Sequence, residues 1–300
     1  MSLSSPPLIM SKLIENFDHY ILSIPLESIT KKIGQATGKP TRYTQKTIET
    51  YINEARAALN FIHPLLSHRN AGILEVGAGI CILSLFLKKE GFNIVALEPA
   101  TAGFGFFSTF QRIFIEHYKE IALEILPYPA KDLREKDVGT FDLIFSFNVI
   151  EHIPDPLSTL YVLLNVLNRK GKMAHSCPNY SIPFEPHFGI PVLVSWPGLT
   201  YFLFFKKISR NKELWKSLNF ITYQEIKKFT HLHNLTVSFQ QGLLYKVFSR
   251  IENDPIFRER QKSFFIMTLF LILRSTGAIN LLKILPPRCA TPMQFIISKS

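Results

Sequence analysis

The apolar and polar residues of this chain change their spacing several times. Over 44–62 the apolar residues recur every three or four positions, which predicts a helix with one buried face. A short apolar run at 73–76 predicts a strand, and it ends in the glycine-rich residues 77–79. Residues 80–89 then have the composition of a buried helix. The pattern predicts a strand, a tight turn and a helix in succession.

The same alternation continues further along the chain. Strands are predicted at 93–97, 123–126, 141–147 and 172–176, with helices over about 105–119 and from Pro156 through Asn168. A capping box formed by Thr222 and Glu225 opens another helix that ends near Leu232, and strands are expected at 235–239 and 293–298. Strands that alternate with helices predict an α/β fold whose parallel sheet is buried on both faces.

Two stretches interrupt this alternation. Residues 177–221 contain five prolines and many aromatic residues, and residues 240–292 are also irregular. We interpret both as insertions into one domain spanning 44–300, preceded by an N-terminal extension over 1–43. Because each insertion follows a predicted strand, we expect both at the carboxyl edge of the sheet, where they would cover the substrate.

The positive charge of the chain is concentrated in its last third. The formal net charge is +11, and residues 201–300 hold 16 Lys and Arg against 5 Asp and Glu. Apolar runs bordered by cations, at 199–207 and 262–274, favour contact with an anionic membrane surface or a lipid-like substrate. Core or oligomer packing with a basic rim is the main alternative. An RNA surface is less favoured, since nucleic-acid grooves interleave aromatic and cationic groups more evenly.

Cysteine usage and the apolar runs restrict the class of protein. Cys81, Cys177 and Cys289 are far apart, with no metal-binding spacing, which excludes a disulfide scaffold or a zinc module. We therefore expect a cytoplasmic protein, with peripheral attachment to the inner face of a membrane as a further option. The longest apolar run, 264–273, is too short to cross a bilayer.

The turn at Gly77-Ala78-Gly79 follows the first predicted strand, where open parallel sheets bind ligands. Position 82 is isoleucine, so the third glycine of a dinucleotide motif is absent. Glu75, two residues before the turn, would repel a diphosphate but attract a cation, and Glu98 is placed to accept hydrogen bonds from ribose hydroxyls. A ligand with a ribose, an amino group and a sulfonium fits this pattern.

At these residues the chain resembles the class I S-adenosylmethionine-dependent methyltransferases, of the methyltransferase type 11 and ubiquinone-biosynthesis O-methyltransferase kind. The matching stretches are ILEVGAGIC (73–81), VALEP (95–99), AKDL (130–133), FDLIFSFNVIEHIPDP (141–156) and RKGKMAHSCPN (169–179). The resemblance implies a Rossmann-like seven-stranded sheet with an antiparallel last strand and helices on both faces. It also implies S-adenosyl-L-methionine as the cofactor.

The resemblance assigns cofactor roles residue by residue. Glu75, Gly77 and Gly79 would line the methionine end, and Glu98 would hold the ribose. Asp132 and Leu133 would meet the adenine, and Asn148 would lie near the methyl-donor end. The cofactor residues so predicted also include the neighbours Ala78, Pro99 and Val149. Cys81, where the family often has a third glycine, is interpreted as a small packing residue.

Methyl transfer to a hydroxyl needs a base to accept the proton. The candidates are Glu151 and His152 after the fourth strand, and His187 in the first insertion, where Tyr180 and Glu185 also lie. A histidine has a suitable unperturbed pKa, although it can equally be structural. Glu151 with a histidine could instead hold a divalent metal, but no metal is predicted.

The sequence therefore predicts a methyltransferase that acts on a hydroxyl, or else an amine or carboxylate, of a small hydrophobic, lipid-linked or glycan-precursor metabolite. Asn148-Val149-Ile150-Glu151 lacks the Asn/Asp-Pro-Pro-aromatic motif of the base-modifying amino-methyltransferases, which makes a nucleic-acid acceptor less favoured. An RNA methyltransferase and a non-catalytic cofactor-binding partner subunit remain the alternatives. An oligomer is compatible with the sequence.

Overall fold

A computed structural model describes residues 6–99, 105–253, 258 and 264–300. The described residues form thirteen α-helices. They are α1 (Pro6–Ser23), α2 (Leu26–Thr37), α3 (Thr41–Ile62), α4 (Ile82–Lys89), α5 (Gly105–His117), α6 (Glu135–Val138), α7 (Pro156–Asn165), α8 (Pro197–Leu203), α9 (Phe205–Ile208), α10 (Lys212–Ser217), α11 (Tyr223–Leu232), α12 (Leu243–Asn253) and α13 (Phe264–Ser275).

Nine strands form one large sheet and one small ribbon. They are β1 (Gly72–Val76), β2 (Asn93–Leu97), β3 (Glu124–Leu126), β4 (Phe141–Phe147), β5 (Leu167–Cys177), β6 (Phe184–Glu185), β7 (Ile190–Pro191), β8 (Leu235–Phe239) and β9 (Met293–Lys299). The large sheet has the order β3-β2-β1-β4-β5-β9-β8, and β6 pairs with β7. β1 runs parallel to β2 and β4, whereas β9 runs antiparallel to β8. The predicted seven-stranded α/β fold with an antiparallel last strand is confirmed.

The chain divides into two compact units. The first consists of Met1–Phe147 and Leu160–Ala174, and the second of Asn148–Thr159 and His175–Ser300. In the first unit, β1 is buried from Ile73 to Val76 and α4 from Ile82 to Leu87, which explains why most of their residues are apolar. α1 and α2 lie in the segment that the sequence analysis treated as an extension. Phe17 of α1 is fully buried and its ring packs edge-to-face on Phe86 of α4, with 5.0 Å between the ring centroids.

Two predicted boundaries after β4 were wrong. The helix expected through Asn168 ends at Asn165, and β5 begins at Leu167, five residues earlier than expected. Two contacts with β4 explain the difference. The amide of Phe141 donates to the carbonyl of Val166, and the side-chain amide of Asn168 donates to Asp142 at 2.6 Å. Pairing with β4 therefore starts the strand early.

The two predicted insertions lie in the second unit and contain helices. The first carries β6, β7 and α8 to α10, packed around a buried cluster that includes Trp215 and Ile208. The second carries α12 and α13, where Phe270 stacks on Phe248 within a separate cluster. Among the described residues, no helix combines the length and apolar character that crossing a membrane requires. The proposed position of the insertions over the substrate stays a prediction.

Candidate active site

The turn between β1 and α4 requires glycine at two positions. Gly77 has a φ of 71° and Gly79 a φ of 56°, both in the left-handed region that side chains disfavour. A Cβ added to Gly79 would lie 2.7 Å from Cε1 of Tyr51, which is closer than atoms can approach. The amide of Gly77 donates to the carbonyl of Leu97 at 2.8 Å, which fixes the turn beside the end of β2. The turn therefore exposes backbone rather than side chains.

Two carboxylates flank this turn, Glu75 buried and Glu98 half-buried. The Ser84 hydroxyl donates to Glu75, and Glu98 Oε2 accepts the backbone N–H of Gly79 at 2.7 Å. Burial raises the pKa of both groups to about 7, and the charge of Glu98 adds to the effect on Glu75, while the hydrogen bond from Ser84 opposes it. A cationic ligand beside them would favour their ionised forms.

A cleft opens at the same turn and holds about 370 Å³, including space open to solvent. Its lining includes four of the predicted cofactor residues together with side chains of α3 and α4 and the last residue of β4. These residues are Tyr51, Glu54, Ala55, Ala58, Glu75, Gly77, Ala78, Gly79, Ile80, Ile82, Leu83 and Phe147. Tyr51 and Glu54 were not predicted from the sequence, although the helix that carries them ends shortly before β1.

The cleft fits the predicted cofactor on two counts. Its lining includes Gly77 and Gly79, which carry no Cβ for a ligand to meet, and the ring of Tyr51 packs beside Gly79. Glu75 supplies a buried carboxylate suited to a ligand that carries an ammonium and a sulfonium. When bound, S-adenosylmethionine supplies an activated methyl group.

Gln111 of α5 stabilises the glycine turn from outside the cleft. Its side-chain amide donates to the carbonyl of Gly79 at 2.8 Å and contacts the sulfur of Cys81 at 3.5 Å. Cys81 is fully buried with a φ of 62°, and burial raises the pKa of its thiol well above the usual value. These properties suit a packing residue, because the thiolate is the reactive form.

The other predicted cofactor residues lie at neighbouring strand ends. In the first unit, Glu98 and Pro99 follow β2, and Asp132 and Leu133 follow β3, with Asp132 exposed and Leu133 buried. The amide of Glu98 donates to the carbonyl of Leu126, so these two strand ends are adjacent.

Asn148 and Val149 belong to the second unit. Asn148 has a φ of 56°, and its amide donates to the carbonyl of Ser176. Val149 directly precedes the 3₁₀ turn Ile150–His152. The cofactor contacts predicted for these residues, and for those after β2 and β3, stay predictions.

The second unit brings together the three predicted catalytic residues. Nε2 of His152 and Nε2 of His187 each lie 3.9 Å from Oε1 of Glu151, and the two rings are 5.1 Å apart, edge to face. Glu151 is completely buried. The chain separates the two histidines by 35 positions, yet the fold places both around one carboxylate.

Hydrogen bonds fix which nitrogen of each histidine carries the proton. Nδ1 of His187 lies 2.7 Å from Glu185, which also accepts the Tyr180 hydroxyl at 2.7 Å. Nδ1 of His152 lies 2.9 Å from Oγ of Ser217, whose own proton goes to the carbonyl of Leu214. Both Nδ1 atoms are therefore donors in the neutral rings, and both Nε2 atoms are acceptors.

The surroundings also set the charge of these groups. Burial by itself raises the pKa of Glu185, but the hydrogen bonds from His187 and Tyr180, and the charge that His187 carries when it is protonated, outweigh it, so the pKa lies below its usual value. Burial, with the neighbouring His187, lowers the pKa of His152 to about 4. His152 is consequently neutral near pH 7, and Glu185 is a carboxylate.

Oε1 of Glu151 and the Nε2 atoms of the two histidines thus converge, and the two nitrogens are acceptors. These acceptors could receive a hydrogen bond from a bound molecule that carries a hydroxyl. The same three residues could instead hold a divalent cation, because one donor atom from each lies within 4.8 Å of the others. Hydrogen bonds on both Nδ1 atoms would suit either use, since they fix the orientation of the rings.

Residues 48–241 match a family model described as a methyltransferase domain. The chain belongs to this family. An uncharacterized protein of Mycobacterium tuberculosis is 34% identical over 226 residues, which cover 72% of this chain and 75% of that protein. The ubiquinone biosynthesis O-methyltransferase of Colwellia psychrerythraea is 27% identical over 112 residues, which cover 37% of this methyltransferase and 43% of that enzyme.

A solved structure of phosphoethanolamine N-methyltransferase 2 of Haemonchus contortus, in complex with S-adenosyl-L-methionine, has a TM-score of 0.46 and 13% identity. The match covers 83% of this methyltransferase, which spans about half of that chain, 53%. The family match confirms the predicted class, an S-adenosylmethionine-dependent methyltransferase that uses S-adenosylmethionine as its cofactor.

Proposed function

We propose that this methyltransferase transfers the methyl group to a hydroxyl of a small hydrophobic or lipid-linked metabolite. The observation that carries this proposal is the convergence of Oε1 of Glu151 with the Nε2 atoms of His152 and His187. A neutral amine attacks a sulfonium without prior deprotonation, whereas a hydroxyl needs a base. A base assembled in advance therefore favours a hydroxyl acceptor.

Within this group, His187 is proposed as the base. Its Nδ1 donates to the buried carboxylate of Glu185, and its Nε2 is proposed to accept the proton of the acceptor hydroxyl. The Glu185 carboxylate then stabilises the imidazolium that forms, as in other dyads of a histidine and a carboxylate. His152 is a weaker base, because its pKa is lowered to about 4, and it is proposed to accept a hydrogen bond that orients the hydroxyl.

On the cofactor side, residues of the glycine turn hold and orient the methyl donor. Glu75 is proposed to contact its cationic methionine end, and Glu98 its ribose. The backbone of Gly77 and Gly79 allows the donor to approach closely. The role of these residues is alignment, since the donor is already activated.

Labelled methyl transfer into fractionated cell extract tests the proposal. The protein is incubated with S-adenosylmethionine carrying a labelled methyl group, and the extract is then separated into organic-soluble, RNA and protein fractions. We expect label in the organic-soluble fraction that survives mild alkali, because a methyl ether resists the hydrolysis that removes a methyl ester. The His187→Gln protein should label this fraction about 100-fold more slowly. Label confined to RNA, or no label from a protein that binds the cofactor, would overturn the proposal.

A further inference from the structure

The segment from Trp196 to Lys212, in the second unit, exposes a set of large apolar side chains. The exposed fractions are 68% for Trp196, 77% for Phe202, 60% for Leu203 and 53% for Phe205, and Leu199 is also exposed. Single exposed apolar residues are common, but five within ten positions form a patch that requires an explanation.

The opposite side of the same segment is well packed. Ile208 belongs to a buried cluster that contains Trp215 and Val192, and Phe204 packs against it. Thr200, four positions before Phe204, is also buried. The amide of Leu193 also donates to the Thr200 hydroxyl at 2.9 Å. The segment is therefore held on the protein by one apolar side while it presents a second one. Core packing accounts for only one of these two sides.

Positive charge borders the exposed side. Residues 186–212 contain no Asp or Glu, and Lys206, Lys207, Arg210 and Lys212 are all exposed. Aromatic and aliphatic groups followed by cations are the composition of helices that lie in the boundary between lipid headgroups and acyl chains. The cations would meet lipid phosphates while the rings enter the apolar boundary.

We propose that this surface, Trp196–Lys212, docks onto an anionic phospholipid bilayer. A second copy of this chain is a less suitable occupant of the surface, because a two-fold contact would place the four cations of each copy close together and they would repel. RNA is also less suitable, since the exposed rings adjoin the cations rather than alternate with them. The inference depends on this surface alone, although a bilayer would also present a hydrophobic acceptor to the enzyme.

Vesicle flotation tests this docking with matched variants. Vesicles of phosphatidylcholine alone are compared with vesicles in which roughly one third is phosphatidylglycerol. One variant, Phe202→Ser with Leu203→Ser, removes apolar groups, and another, Lys206→Glu with Lys207→Glu, reverses charge. The control is Lys31→Glu with Lys32→Glu, an exposed lysine pair on α2 in the first unit. Affinity for S-adenosylmethionine is measured for every variant, and unchanged values show that each is folded.

We expect the wild-type protein and the control to bind the anionic vesicles, with binding weakened by salt, and both surface variants to bind at least about tenfold more weakly. Brominated lipid should quench the fluorescence of Trp196, and the Trp196→Phe protein, which keeps the buried Trp215, should lose this quenching. Equal binding of the surface variants and the wild type would overturn the proposal. A dimer that the surface variants dissociate, or RNA binding that they abolish, would also overturn it if the wild type does not bind vesicles.

Discussion

The cleft at the glycine turn and the cluster around Glu151 are built in different ways. Residues close together in the chain form most of the cleft, and its main property is backbone conformation at Gly77 and Gly79. The cluster joins residues of two distant segments, and its main property is the direction of hydrogen bonds to side chains. A site of the first kind is readable as a motif, whereas the second becomes visible only in the folded chain.

The largest expected effect concerns the backbone of the cleft. In the Gly79→Ala protein, alanine would adopt an unfavourable positive φ and its Cβ would clash with Tyr51. We therefore expect the affinity for S-adenosylmethionine to fall by about 100-fold or more, roughly 3 kcal/mol. Isothermal titration calorimetry measures this change. Gly38→Ala is the control, because Gly38 has a similar φ of 67° with nothing within 4 Å of its Cβ position. Equal affinity of the Gly79→Ala and wild-type proteins would show that the turn does not hold the cofactor.

The next largest expected effect is a loss of kcat on substitution of residues in the cluster around Glu151. Removing the base with His187→Gln, or its partner with Glu185→Gln, should lower kcat by about 100-fold while the Kd for S-adenosylmethionine stays unchanged. His152→Gln should lower kcat less, because His152 is proposed only to orient the hydroxyl. The rates are measured with the acceptor recovered from the labelled extract. If His152→Gln is the most damaging of the three, the proposed roles of the two histidines are reversed.

A chelator test decides between the two uses of the same cluster. With a proton-accepting histidine, activity should be unchanged after dialysis against EDTA and should not rise when Mg²⁺, Mn²⁺ or Zn²⁺ is added. Loss of activity on dialysis with recovery on adding one cation would instead assign Glu151, His152 and His187 as metal ligands.

The sheet and most residues at the glycine turn were predictable from the sequence, whereas several tertiary contacts were not. The alternation of strands and helices predicts the sheet, Glu75 and the glycines predict part of the lining of the cleft, and Glu98 lies beside the same turn. Tyr51 was not predicted, because its contact with Gly79 depends on how α3 packs on the turn. The early start of β5 was missed because the contact of Asn168 with Asp142 is a tertiary one. Ser217 was missed for the same reason, since only the fold brings it to His152.

The affinity for S-adenosylmethionine, measured over a pH series, should report on the ionisation of Glu75 and Glu98 at the glycine turn. Glu75 and Glu98 have pKa values near 7 instead of the usual 4.5, so both are largely protonated below that pH in the free protein. A cationic ligand prefers the ionised forms, and affinity for S-adenosylmethionine should therefore rise several-fold from pH 6 to 8. The Glu75→Gln and Glu98→Gln proteins should show a flatter profile. An unchanged profile in both variants would assign the pH dependence to other groups.

Glu75 and Glu98 also affect the stability of the free protein. An ordinary paired carboxylate adds stability as the pH rises, whereas these two remove stability as the pH rises. Since their pKa values are raised on folding, their contribution to stability is present below about pH 4.5 and is lost as the pH rises to about 7. Thermal unfolding without cofactor should show this loss. Glu75→Gln should reduce it, whereas Glu225→Gln, at an exposed capping box, should not.

The smallest effect concerns Gln111. The Gln111→Ala protein loses a hydrogen bond to the carbonyl of Gly79, so affinity for the cofactor should fall about fivefold, roughly 1 kcal/mol. Gln45→Ala is a suitable control, since Gln45 is exposed on α3 and its side-chain amide donates to Glu49, away from the turn. A fivefold loss in both proteins would point to a general effect on stability rather than on the turn.

The central claim, methyl transfer to a hydroxyl, is tested most directly by finding the atom that receives the methyl group. The product made with S-adenosylmethionine carrying a ¹³C-labelled methyl group can be purified from the organic extract and examined by NMR. We expect a methyl carbon bonded to an ether oxygen, formed about 100-fold more slowly by the His187→Gln protein. A methyl carbon bonded to nitrogen, or an ether formed equally fast by the His187→Gln protein, would contradict the claim.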